Sequence, residues 1–308
     1  MILAQNLRKR YGRTQALDGL SLSVEQGAIY GFIGQNGAGK TTTMRILATL
    51  MLPDEGTAQV AGVDVIQHPG EVRRIVGYMP DFFGVYDDLT VGEYLEFYAS
   101  LSGIKGEKAR RLRDDLLELV DLGSRREEFV EGLSRGMQQR LCLARTLIHD
   151  PQVLLLDEPA SGLDPVARSE MRDLLKELTR MGKTILISSH ILSELADLCT
   201  HVGMVAAGRL VRQGRVAEVL WASEHPLWRM RVLREPEAAA RVLEEVPGVG
   251  EVQVTAEGIT FSCDGGAEGA ADALEAVVRA GHKVTRLAEV ETNLEETFVK
   301  LAREEVAR

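Results

Sequence analysis

Residues 34–41 read Gly34-Gln35-Asn36-Gly37-Ala38-Gly39-Lys40-Thr41, a match to G-x-x-x-x-G-K-[ST]. Their setting restricts the fold more than any other stretch of the chain. Ala28 to Ile33 is a short apolar run of the buried-strand kind, and Thr42 to Leu50 places Met44, Leu47 and Ala48 at helical spacing. Strand, glycine loop and helix in that order belong to an α/β architecture. Glycines at 34, 37 and 39 let backbone N–H groups turn inward around phosphate without side-chain clash. Lys40 then reaches the β- and γ-phosphates of a nucleotide, and Thr41 puts its hydroxyl on Mg²⁺. A bare glycine turn would need neither the flanking strand nor the Lys-Thr pair.

A second informative stretch runs from Gly132 to Pro165. The turn Leu133-Ser134-Arg135-Gly136 opens an amphipathic helix, and a helix N-terminus suits an anion. The aliphatic run Val153 to Leu156 ends in Asp157 and Glu158. Carboxylates at the end of a buried strand suit Mg²⁺ and a water, with Asp157 on the metal and Glu158 as base. The plain alternative is an exposed acidic turn, against which the four preceding aliphatics argue. A further turn follows at Ser161-Gly162-Leu163-Asp164.

At 308 residues the chain exceeds one average domain, so two are expected. A net charge of −10 speaks against a general nucleic-acid binder, because phosphate neutralisation needs clustered Lys and Arg. Cys142, Cys199 and Cys263 lie far apart with no CxxC spacing, so a zinc site or disulfide framework is not expected and a reducing compartment is. The first residues lack the apolar core of a signal peptide, and no aliphatic run approaches the ~20 residues that span a bilayer. A chain like this is not expected to form a membrane channel itself.

Thr184 to Ser188 reads as another buried parallel strand and Val166 to Met181 as a helix. Between the loop and the carboxylates lies a helical stretch. Thr90 to Leu101 begins with the capping box Thr90-Val91-Gly92-Glu93 and carries Tyr94, Leu95, Tyr98 and Leu101 on one side. Lys108 to Leu122 is a second amphipathic helix with Leu112, Leu116, Leu119 and Val120 apolar.

After Gly214 the character changes. Trp221 to Pro226 reads as a linker. Next come a strand (Trp228–Leu233), a helix (Pro236–Glu245), strands Gly250–Thr255 and Gly258–Cys263 joined by a hairpin turn, a helix (Ala267–Ala280), a strand (Lys283–Val290) and a helix (Leu294–Arg303). This β-α-β-β-α-β order predicts a small ferredoxin-like domain.

Taken together, the two motifs resemble the nucleotide-binding subunit of an ATP-binding cassette (ABC) transporter, over about Met1 to Gly214. The resemblance implies a P-loop NTPase core with a helical subdomain at about 82–150 in a first domain at 1–220, and the residue pattern beyond it gives an α+β accessory domain at 227–308. It implies ATP and Mg²⁺ as ligands, with Gly34, Gln35, Asn36, Gly37, Ala38, Gly39, Lys40, Thr41 and Thr42 around the phosphates. Leu133 to Met137 matches the family's signature turn, so Ser134 and Gly136 are expected on the γ-phosphate held by an opposite subunit. Arg135 and Met137 depart from the commoner Gly and Gln.

Tyr11 matches the aromatic that stacks on adenine, His190 the histidine at the γ-phosphate, and Asp164 the loop between the two ATP sites. His201 has no such match and reads as structural. Asp81 stands where the family's Gln touches Mg²⁺ and water; it either serves the metal shell through water or faces solvent. Glu291 to Leu301 resembles the tail of ABC-2 exporters, with regulation, dimer support or stability as its expected roles. The implied protein is a cytoplasmic ATPase on the inner face of the membrane, a homodimer serving a separate permease. The rival is a soluble cassette ATPase acting on nucleic acid or ribosomes, which one phosphate loop without sustained heptads disfavours.

Overall fold

In a computed structural model the chain is described over residues 1–81, 84, 88–220, 227–255 and 257–290. It divides into two compact units, the first over Met1–Val216 and the second beginning at Ala217.

The first unit holds two sheets. Strands β1 (Ile2–Tyr11), β2 (Thr14–Val24), β4 (Glu55–Val60) and β5 (Val63–Asp64) make an antiparallel sheet in the order β2-β1-β4-β5. The other sheet is built on β3 (Ile29–Ile33), β6 (Val76–Met79), β7 (Val153–Asp157), β8 (Thr184–Ser189), β9 (His201–Ala206) and β10 (Arg209–Arg215). Its order is β10-β9-β3-β8-β7-β6, parallel except for the β9–β10 hairpin. Every residue of β3, β7 and β8 is buried, which is why these strands read as unbroken apolar runs. One core joins the two sheets around Phe32, Met44, Leu155 and Leu186.

Helices α1 (Lys40–Leu47), α2 (Pro69–Ile75), α3 (Val91–Leu101), α4 (Glu107–Leu119), α5 (Arg135–Leu147), α6 (Pro165–Arg180) and α7 (Leu192–Ala196) complete the unit, and α8 (Val216–Leu220) follows at its end. The expected capping box on α3 is present: Thr90 Oγ1 accepts from Glu93 N–H, while Glu93 Oε2 accepts from Thr90 N–H. Of the apolar stripe expected on α3, Tyr94 and Leu95 are buried but Leu101 is 67% exposed. Leu101 is the last residue of α3. Helix α1 starts at Lys40, ahead of the expected Thr42, because the loop runs into the helix without a separate cap. No helix among the described residues is long and apolar enough to cross a membrane.

The antiparallel sheet was not legible beforehand. Its central strand β1 pairs through three register shifts, so its inward residues Ile2, Ala4 and Leu7 do not keep a strict period of two.

The second unit contains β11 (Leu227–Val232), α9 (Pro236–Glu244), β12 (Val249–Thr255), β13 (Gly258–Cys263), α10 (Ala267–Arg279) and β14 (Val284–Glu289). Its antiparallel sheet has the order β12-β13-β11-β14. Met230, Ile259, Phe261 and Cys263 on the sheet pack with Leu243, Ala273 and Val277 on the helices in a core of their own. Thr255 pairs with Gly258 and so closes the expected hairpin. The expected linker at 221–226 and helix at 294–303 lie outside the described residues, as does most of the stretch from 82 to 87.

Candidate active site

Strand β3 delivers the glycine loop at its C-terminal end, beside the ends of β8 and β9. Gly39 has φ +112°, and a Cβ there would come within 2.8 Å of the Ala16 carbonyl oxygen and 2.7 Å of Leu17 Cδ2. Neither the backbone nor the packing admits a side chain at that point. Gly34 N–H donates to Ser189 O at 3.3 Å, and Ala38 O accepts from Gly208 N–H at 3.0 Å, so neighbouring strand ends pin the loop. Gln35, Asn36 and Gly37 are exposed at its tip, Thr41 and Thr42 are half-buried, and the first turn of α1 follows directly. The concave loop and helix N-terminus fit a phosphate chain.

Lys40 is buried, yet its ammonium stands where three groups converge. It donates to Gly34 O at 2.5 Å and lies 3.4 Å from Glu158 Oε1. Glu158 Oε2 in turn sits 2.8 Å from His190 Nδ1. Sequence positions 40, 158 and 190 thus meet at one point. Glu158 has φ +52°, a left-handed conformation that costs an ordinary residue ~1–2 kcal/mol. This turn breaks the strand alternation after Asp157, so the two carboxylates need not point to opposite faces.

Asp157 is 1% exposed. One of its oxygens accepts from Ser188 Oγ at 2.7 Å, and the other, Oδ2, is buried with no hydrogen-bond partner among the described residues. A buried, orphaned carboxylate oxygen near a threonine-bearing phosphate loop is a donor suited to Mg²⁺. Ser188 also accepts the Glu158 N–H at 3.0 Å, so one hydroxyl fixes both acidic residues. Sequence reasoning did not single out Ser188. Its signal was a polar residue ending the aliphatic run Ile185 to Ile187.

Asp81 belongs to the same electrostatic environment. Partial burial raises its pKa above the usual carboxylate value, the charges of Asp157 and Glu158 raise it further, and Arg135 and His190 oppose the shift. Asp81 is itself exposed, so both expectations for it, water-mediated service to a metal shell and a place facing solvent, stay open.

The signature turn is arranged differently. Ser134 is the N-cap of α5, with its Oγ accepting from Met137 N–H at 3.3 Å, and it is exposed. A Cβ on Gly136 would meet Ala167 Cβ at 2.8 Å, so this glycine allows α5 to approach the start of α6. The Arg135 guanidinium rests against Gly162, where an added Cβ would be 2.6 Å away. Asp164 caps α6, accepting from Val166 and Ala167 N–H at 2.9 and 3.0 Å. No hydrogen bond among the described residues joins Ser134 or Gly136 to residues 34–41. Tyr11, 45% exposed at the end of β1, donates its hydroxyl to the Met51 sulfur at 2.8 Å. His201 sits on β9 with Nδ1 against Thr200 Oγ1, away from this cluster of partners.

Comparison with known proteins agrees with this geometry. The family described as ABC transporter matches residues 17–161. Nod factor export ATP-binding protein I of Ralstonia nicotianae is 40% identical over 71% of this chain and 68% of its own length. Bacitracin transport ATP-binding protein BcrA of Bacillus licheniformis is 42% identical over 69% of each chain. Daunorubicin resistance ATP-binding protein DrrA3 of Streptomyces coeruleorubidus is 39% identical over 71% of this chain and 69% of its own. Among solved structures, an ATP-binding subunit of an ABC transporter superposes with a TM-score of 0.63 at 28% identity, over 71% of this chain and 91% of that one. The dimeric structure of MJ0796, a bacterial ABC transporter cassette, gives 0.64 at 26% identity, over 70% and 99%. The chain therefore belongs to the ABC transporter family, as one of its ATP-binding subunits.

Proposed function

We propose that this chain hydrolyses ATP for an ABC-2 type exporter, as a head-to-tail homodimer seated on a separate membrane permease at the cytoplasmic face. The observation that carries the catalytic part is the meeting of Lys40, Glu158 and His190 at 3.4 and 2.8 Å. Lys40 binds the β- and γ-phosphates, exchanging its carbonyl partners for phosphate oxygens. Glu158 takes the proton of the attacking water. His190 donates from Nδ1 to Glu158; to donate to a phosphate oxygen as well, the ring must carry both protons. Asp157 and Thr41 would hold Mg²⁺, with Asp81 reaching its shell through water, and the bound ion would spread charge off the phosphates.

Tyr11 would stack on adenine. Gly34 to Thr42 would cradle the subunit's own phosphates, while Ser134 and Gly136 would meet the ATP of the other subunit. The exposed position of Ser134 at a helix N-terminus supports that reading. Relatives named for export, transport and drug resistance support the exporter reading. We further assign residues 1–220 to the ATPase domain, with 82–150 as its helical subdomain. Of the accessory domain expected at 227–308, residues 227–290 have a ferredoxin-like arrangement, and we assign the domain to regulation or support of the dimer. The strand order β12-β13-β11-β14 favours that arrangement.

Replacing Glu158 with Gln removes the base and keeps the shape. The variant is expected to bind ATP, accumulate as a dimer on gel filtration, and lose turnover. Normal turnover would overturn the mechanism. Purification of the tagged chain from membranes is expected to bring an integral membrane protein with it; ribosomes or RNA in its place would favour the soluble rival.

A further inference from the structure

A chain of polar contacts leads away from His190 to the turn at 161–164. Arg168, on the first turn of α6, donates from Nη2 to Leu163 O at 3.1 Å and thereby holds the end of that turn. Its Nε lies 3.1 Å from Glu194 Oε1 on α7, close enough for an ion pair although the N–H is not aimed at the oxygen. The Glu194 side chain is only 9% exposed, so the pair operates at reduced dielectric. Glu194 Oε2 accepts from Ser189 Oγ at 3.2 Å, and the same Oγ accepts from Ile191 N–H at 3.0 Å. Residue 190 lies between those two anchored neighbours, and its ring holds Glu158.

We propose that Arg168, Glu194 and Ser189 are positioning residues that tie the 161–164 turn to His190, so that movement of the turn moves the histidine that holds Glu158. The inference rests on the proposed ATPase reading and adds to it a path within one subunit. A cavity of about 190 Å³ adjoins the pair, lined by Glu158, Ser161, Arg168 and Glu194 among others. Close-packed interiors resist side-chain movement, and this space lets the ion pair shift without a clash. Because the turn also ends in Asp164, the cap of α6, the path joins the start of that helix to this subunit's base.

The test is a double-mutant cycle in the full-length chain, by single-turnover ATP hydrolysis with protein in excess. Glu194→Gln keeps the side-chain shape and removes the charge. It is expected to slow the hydrolytic step by about tenfold or more through misplacement of His190, with equilibrium ATP binding changed by less than about twofold. In a His190→Ala background the same change is expected to slow the reaction no further, whereas independent effects would multiply. Ser189→Ala, which leaves the ion pair in place, is expected to give the same non-additive pattern, so misfolding of one variant leaves the other decisive. Multiplying effects, or full activity of Glu194→Gln, would overturn the path. A wild-type chain that binds ATP without hydrolysing it would instead overturn the ATPase reading itself.

Discussion

Ser188 shows how much can depend on one hydroxyl. It donates to Asp157 and accepts from Glu158 N–H, inside a fully buried strand. Ser188→Ala would leave two buried groups short of a partner, at about 1–3 kcal/mol. Reduced urea stability and a fall in the hydrolytic rate are expected together, with Ser188→Thr restoring more of both than Ser188→Val. Asp81 offers a test of sign. Its pKa is raised by burial and by Asp157 and Glu158, so the folded state holds its proton more tightly than the unfolded chain, whose value is near 3.8. The charged form therefore opposes folding: its stability contribution is most favourable below 3.8 and is lost as pH rises through the folded value. In nucleotide-free, Mg²⁺-free protein, Asp81→Asn is expected to raise Tm at neutral pH. That gain should shrink as the pH falls toward 3.8. A gain that grew on acidification would contradict the placement of Asp81 among these carboxylates.

At the scale of elements, the site is assembled from the ends of strands and the starts of helices. Strands β3, β7 and β8 lie side by side in parallel, so their C-terminal ends bring residues 34, 157 and 189 to one edge. Helix starts then carry Lys40 on α1 and Ser134 on α5, the groups proposed to meet phosphate, and the cap Asp164 on α6. Asp164 satisfies two N–H groups of α6, and its loss as a cap is worth about 1 kcal/mol. Asp164→Ala is expected to lower unfolding stability by that amount, and Asp164→Asn by much less. Equal losses would mean that the carboxylate acts through something other than capping. Helices α1, α3, α4, α5 and α6 were legible because their apolar spacing and caps are local signals, as at Thr90 and Glu93, whereas the short α2 and α7 were not. The sheet formed by β1, β2, β4 and β5 was not, because bulges along β1 blur the alternation on which strand reading depends.

For the whole molecule, what matters is that the second unit has a core of its own among the described residues. Phe261 is fully buried in the second unit's core, among Met230, Leu243 and Val277. Phe261→Ala should cost about 3–5 kcal/mol, and calorimetry is expected to show one of two unfolding transitions moving while the other stays. A single transition that shifts as a whole would argue against the assignment of two domains. Sequence alone determined the phosphate loop, the carboxylate pair, the helical stretch and the β-α-β-β-α-β order, since each depends on short spacings that neighbouring residues enforce. It also carried Tyr11, Ser134 and His190 as matches to a family pattern, with no physical link among them. Only the tertiary structure decided that Lys40, Glu158 and His190 meet, that Ser188 fixes both acidic residues, and that Arg168 reaches Glu194. Those contacts join residues separated by 26 to 118 positions, and nothing local encodes them. They follow from the order of parallel strands and the left-handed turn at Glu158, which the packed sheet holds in place.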